Sequence, residues 1–123
     1  MRFFPFVIAD AEDMSQPVIY SKGTNLSVGT NISIQANWTG IPTGTFKIQI
    51  SNDIVDENTA RNQDPASNVV NWSDYTGSDT QVVGVAGNWL WMDKNVGYRW
   101  IRLVYTRISG SGFMTAIFNG KGN

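Results

Sequence analysis

The 123-residue chain reads as an all-β protein: one domain, an antiparallel β-sandwich of jelly-roll-like type. Three observations lead there. Apolar residues recur with period two, as in Ile32, Ile34, Ala36 and Trp38, which alternate with Ser33, Gln35 and Asn37. Short runs of this kind are separated by turn residues at regular spacing. No window carries a sustained apolar stripe at helical spacing.

The elements follow in chain order. Residues 1–12, within MRFFPFVIADAED, put Phe3, Phe4, Phe6, Val7 and Ile8 at a chain end. Such a segment is either the first strand of the sandwich or an arm that docks on a neighbouring subunit. It is a poor signal peptide, since Pro5 breaks the apolar run and acids follow it instead of a small-residue cleavage site. No run approaches the ~20 apolar residues of a membrane span. A strand is expected at 16–21. The alternating runs at 30–38 and 45–51 are joined by Gly40-Ile41-Pro42-Thr43-Gly44, which predicts an antiparallel hairpin. On these strands Trp38, Phe46, Ile48 and Ile50 belong to the apolar face.

Residues 52–71 interrupt the rhythm. The segment is polar, carries Asp53, Asp56, Glu57 and Asp64, and contains Pro65. It predicts a long surface loop, with one helical turn about 57–61. Further strands are expected at 80–86, around Trp89 and Trp91, at 98–107 and at 113–119. In the strand at 98–107, Ile101, Leu103 and Tyr105 share one face, and Trp100, Arg102 and Val104 the other. The Gly-Ser alternation at 109–112 predicts a tight hairpin turn into the last strand.

Composition restricts the chemistry. There is no cysteine and no histidine, so disulfides, thiolate metal sites and Ser-His or Cys-His pairs are excluded. With a net charge of −1 and 15% charged residues, the chain has no overall field for a polyanion. Arg99, Arg102 and Arg107 could be a phosphate patch. Period two places Arg99 and Arg107 opposite Arg102, which favours separate ion pairs or stacking on aromatic rings. Neither nucleic acid nor membrane is expected as a partner. Asp53, Asp56, Glu57 and Asp64 could offer oxygens to Ca²⁺ or a glycosidase acid–base pair, but their spacing fits no EF-hand, and a solvated acidic loop is the simpler reading. No catalytic, cofactor or metal residue is assigned. Asn25, Asn31, Asn37 and Asn71 each begin an Asn-x-Ser/Thr triplet, which has meaning only for a secreted eukaryotic chain.

Trp89 and Trp91 share one strand face, and Leu90 and Met92 the other. If the tryptophans are outside, they form a flat aromatic platform. Phe3, Phe4, Phe6, Trp89 and Trp91 are therefore the candidate partner interface.

Taken together, FKIQISND (46–53), VNWSDYTG (70–77), Trp89-Leu90-Trp91, YRWIRLVYTRISGSG (98–112) and TAIFNGKGN (115–123) resemble a group of small tailed-bacteriophage virion proteins. The order of SND, NW and the aromatic-Arg strand also resembles the discoidin (F5/8 type C) jelly roll. The polar segment between SND and NW is longer here than in the proteins it resembles. The resemblance covers roughly residues 30–123. It implies a non-enzymatic structural protein of the virion, assembled in the bacterial host cytoplasm. The leading version is a capsid decoration (cement) protein that contacts the major capsid protein or other virion proteins and forms a homo-oligomer. The alternative is a carbohydrate- or receptor-binding module of a tail or fibre, with a glycan as ligand.

Overall fold

The computed structural model describes residues 3–26, 31–53, 69, 71–75, 77–94 and 96–121. They form strands β1 (Phe3–Asp13), β2 (Val18–Tyr20), β3 (Thr24–Asn25), β4 (Asn31–Trp38), β5 (Thr43–Ser51), β6 (Ser73–Asp74), β7 (Thr80–Val83), β8 (Gly87–Lys94), β9 (Trp100–Ser109) and β10 (Phe113–Lys121). Two antiparallel sheets result. Sheet A has the order β1-β10-β4-β8; sheet B has the order β2-β9-β5-β6, with β3 also on β9 and β7 also on β5. β2 and β3 follow one another along the same edge of β9, as β6 and β7 do along β5. Each pair is one interrupted strand, which leaves four strands per sheet. Every connection except that from β5 to β6 crosses between the sheets, which is jelly-roll topology.

Alternation sets the faces as expected. Phe46, Ile48, Ile101, Leu103 and Tyr105 are buried between the sheets with Ile8, Ile32, Ile34, Met114 and Phe118. Trp38 and Ile50 pack at the margin of this core and stay partly exposed. Phe46 is the aromatic centre, with ring centroids 5.2 Å from Trp38, 5.6 Å from Trp89 and 5.0 Å from Tyr105.

Partner choice differs from expectation at both predicted hairpins. β4 lies in sheet A between β10 and β8, whereas β5 lies in sheet B. β9 lies in sheet B and β10 in sheet A. The segments 39–42 and 110–112 are therefore inter-sheet arches, and they hydrogen-bond to one another instead of closing turns. Thr39 N donates to Phe113 O at 3.0 Å, and Ile41 N to Ser111 O at 2.9 Å. Alternation specifies which face a residue takes, and two apolar faces pack equally well whether they belong to one sheet or to two.

Of the two readings of the N-terminal segment, the structure has the strand. Residues 3–13 are the edge strand of sheet A, paired with β10 from Phe3–Lys121 to Asp13–Phe113, with bulges between Val7 and Glu12. The strand expected at 16–21 shortens to β2, and that expected at 80–86 to β7. The helical turn about 57–61 lies outside the described residues.

Candidate interaction surfaces

Of the two orientations open to β8, the structure has the one that turns the tryptophans inward. Trp89 stacks on Phe46, and Trp91 meets Tyr75 edge-on at 5.2 Å; both pack against the core. Leu90 and Met92 take the solvent face instead. Phe6 also faces inward and stacks on Phe118 at 6.2 Å. Phe3 and Phe4 pair through their backbones with Lys121 and Gly120. All five candidate interface residues thus lie on the two edge strands of sheet A, and the three with described side chains face the core. The sequence could not orient β8, because both of its faces are apolar.

Trp91 leads to a cluster at the end of the sandwich where Tyr75 and Tyr98 meet β8. Asp93 Oδ2 accepts the hydroxyls of Tyr75 at 3.0 Å and Tyr98 at 2.9 Å, while Oδ1 accepts Lys94 N at 2.8 Å. One carboxylate thereby ties two loops to one strand. Burial, then the Asp93 hydrogen bond, pushes the Tyr98 hydroxyl far above its ordinary range; for Tyr75 the Asp93 hydrogen bond is the main cause of a rise. An unfolded chain ionises its tyrosines near pH ~10, and the folded one resists. The stability this contributes is complete below that pH and is lost as pH rises above it. The melting temperature should therefore hold up to about pH 10 and fall steeply above it. Tyr98→Phe should melt lower at neutral pH, by the roughly 0.5–1.5 kcal/mol of one hydrogen bond, yet fall less in alkali. An equal alkaline fall in both proteins, followed by circular dichroism, would remove this cluster as the cause.

On the outer face of sheet B, Arg102 lies between two rings, 4.3 Å from the centroid of Tyr20 and 4.3 Å from that of Trp72. Its Nε donates to Gln49 Oε1 at 2.8 Å, and Gln49 Nε2 donates to Asp74 Oδ1 at 2.9 Å. That bond, with the Lys47 ammonium 3.3 Å away, lowers the Asp74 carboxyl below its usual range. Arg107 turns to Gly110 O, and Arg99 sits beside Ser51 and Asn52 through its backbone. The three arginines do not converge on one patch. Arg102 stacks on aromatic rings, as alternation along β9 suggested.

Of the acidic loop, Asp56, Glu57 and Asp64 lie outside the described residues. Asp53 accepts Asn71 N at 3.0 Å and Asn71 Nδ2 at 2.9 Å, so it joins the two ends of the segment. Its carbonyl accepts Trp100 Nε1 at 3.1 Å. Trp100 and Val69 are buried but stand apart from the central core. The described ends of the segment lie against sheet B, where Asp53 O accepts Trp100 Nε1 and Val69 O accepts Trp72 Nε1. The signal for this was Trp100, an aromatic on the outward side of its strand. Among the described residues, no three acidic side chains gather into a group that could hold a metal ion.

The opposite end of the sandwich carries a surface that sequence reasoning missed. Four loops meet there: 14–17, 39–42, 84–86 and 110–112. Met14 N donates to Gly112 O, Gly84 N to Pro42 O, Arg107 N to Pro17 O, and Trp38 Nε1 to Val85 O, at 2.7–3.0 Å. From this frame project Ile41, Val85 and Phe113, which are 66%, 65% and 57% exposed. Ile41 and Phe113 border one open depression. The only signal available was apolar residues inside turn sequence. No known family model matches the chain, and no curated protein matches it.

Proposed function

We propose that the chain is a non-enzymatic structural subunit of a bacteriophage particle, a capsid decoration protein that seats its loop end on the shell. The observation that carries this reading is the trio Ile41, Val85 and Phe113, held outward by loops that hydrogen-bond to one another. Such a surface needs little ordering on docking, so most of its apolar burial goes into affinity. Burying each side chain contributes about 1–2 kcal/mol, too little for one subunit to bind tightly alone. A shell offers many sites, so linked copies gain by avidity. The resemblance of residues 30–123 to small virion proteins points the same way.

The test is co-sedimentation with shells assembled from the major capsid protein of the same genome. The wild type should pellet with the shells. Ile41→Ser with Phe113→Ser should reduce the bound fraction at least about tenfold at unchanged circular dichroism. Absence of binding by the wild type, or equal binding by the variant, would overturn the reading.

A second reading, a glycan-binding module of a tail or fibre, draws on a different surface. Tyr20 presents a half-exposed ring beside Arg102, and Gln49 and Asp74 continue the row with hydrogen-bonding groups. Rings and planar polar groups in a row suit a sugar. Titration with oligosaccharides should then change Trp72 fluorescence, and Tyr20→Ala should abolish the change.

A further inference from the structure

A sandwich of two open sheets has four edges, and an edge strand offers unpaired N–H and C=O groups to any passing strand. Three of the edges here are blunted. β1 carries Pro5, two register shifts and Ala11 at φ +47°, and its Ile8 carbonyl already accepts Lys22 N at 2.8 Å. β2 and β3 are three and two residues long. β6 and β7 are two and four residues long, with Gly77 at φ +82° between them. These are the devices that keep edges from pairing.

β8 has no proline, register shift or positive φ, and its two charges, Asp93 and Lys94, stand together at its C-terminal end. It runs eight residues without proline, in unbroken register with β4 from Gly87–Trp38 to Lys94–Asn31. Among the described residues, none of its backbone groups bonds outside sheet A. Its outward side chains include Leu90 and Met92, 54% and 66% exposed, and its inward Trp89 and Trp91 are only half-buried beside the open edge.

We propose that β8 pairs antiparallel with β8 of a second copy about a two-fold axis, joining two sheets A into one of eight strands. The occupant follows from self-complementarity. Directly opposed residues share a face, so the axis passes through a residue. Centred on Leu90, it sets Leu90 against Leu90 and Asn88 against Met92 of the second copy. Centred on Trp91, it sets Leu90 against Met92 and Asn88 against Lys94. Either register makes one apolar strip on the outer face and keeps the two lysines apart. Centred on Leu90, Trp89 meets Trp91 of the second copy on the inner face; centred on Trp91, the two Trp91 rings meet and Trp89 faces Asp93.

Pairing at β8 is independent of docking at the loop end, so separate variants test the two. Sedimentation of the wild type over a range of concentrations should show reversible dimers. Leu90→Lys with Met92→Lys changes only exposed side chains, so its circular dichroism should match the wild type, while dimerisation weakens at least about tenfold. Ile41→Ser with Phe113→Ser should dimerise as the wild type does. Amide hydrogen exchange across Gly87–Lys94 should slow as concentration rises. A wild type that stays monomeric, dimers that survive both lysines, or exchange in β8 that ignores concentration would each overturn the proposal.

Discussion

Deleting residues 1–8 should unfold the protein. These residues supply the pairs from Phe3–Lys121 to Val7–Ile117, five of the eight between β1 and β10. Phe6 stacks on Phe118, and Ile8 is buried in the core. Losing buried Ile8 removes about 1.5–3 kcal/mol, partly buried Phe6 removes less, and each ladder bond adds roughly 0.5–1.5 kcal/mol. A domain of this size has about 5–15 kcal/mol in all. The apolar face of β10 would be left with an open edge, so aggregation should accompany unfolding. The test is far-UV circular dichroism and sedimentation of the truncated chain. A truncated chain that keeps its β signal and a cooperative urea transition would mean that three strands suffice for sheet A. The segment would then be a detachable arm after all.

Gly112→Ala should cost about 3 kcal/mol or more, the upper end of what overpacking does. The two inter-sheet arches touch backbone to backbone. A Cβ on Gly112 would collide with the Thr39 carbonyl, and one on Gly110 with the Ile41 carbonyl, where φ is also +75°. Backbone cannot swing aside as a side-chain tip does. The arches would have to part, and with them the bonds from Thr39 to Phe113 and from Ile41 to Ser111. Gly77 is the control. Its φ is +82°, yet a Cβ there would meet nothing within 4 Å, so Gly77→Ala should cost only the roughly 1–2 kcal/mol of a left-handed residue. Urea titrations of both variants decide the matter. Equal losses would show that the arches tolerate separation. Because the arches also carry Ile41 and Phe113, loosening them should weaken the shell docking proposed above.

The proposed surfaces were legible to different degrees. Phe3, Phe4, Phe6, Trp89 and Trp91 led to the two edge strands of sheet A, and the exposed residues there are their alternates, Val7 on β1 and Leu90 and Met92 on β8. Period two halves the choice of face but cannot make it when both faces are apolar. Phe46 made it for β8: its ring takes Trp89, and Leu90 and Met92 are left outside. The loop end was barely legible, because Ile41 and Val85 come from two separate turns and Phe113 from the start of β10.

Alternation, turn residues and the absence of helical periodicity were enough to establish an all-β sandwich and the inward faces of β4, β5 and β9. Those are local properties of a pleated chain, since consecutive side chains must point opposite ways. Which strand pairs with which was decided only in three dimensions. Gly40 and Gly110–Gly112 read as hairpin turns. They are arches because each lets the other pass at backbone contact, and that contact joins residues about seventy positions apart. No local rule carries information over such a separation; it comes from the packing of two sheets around one core.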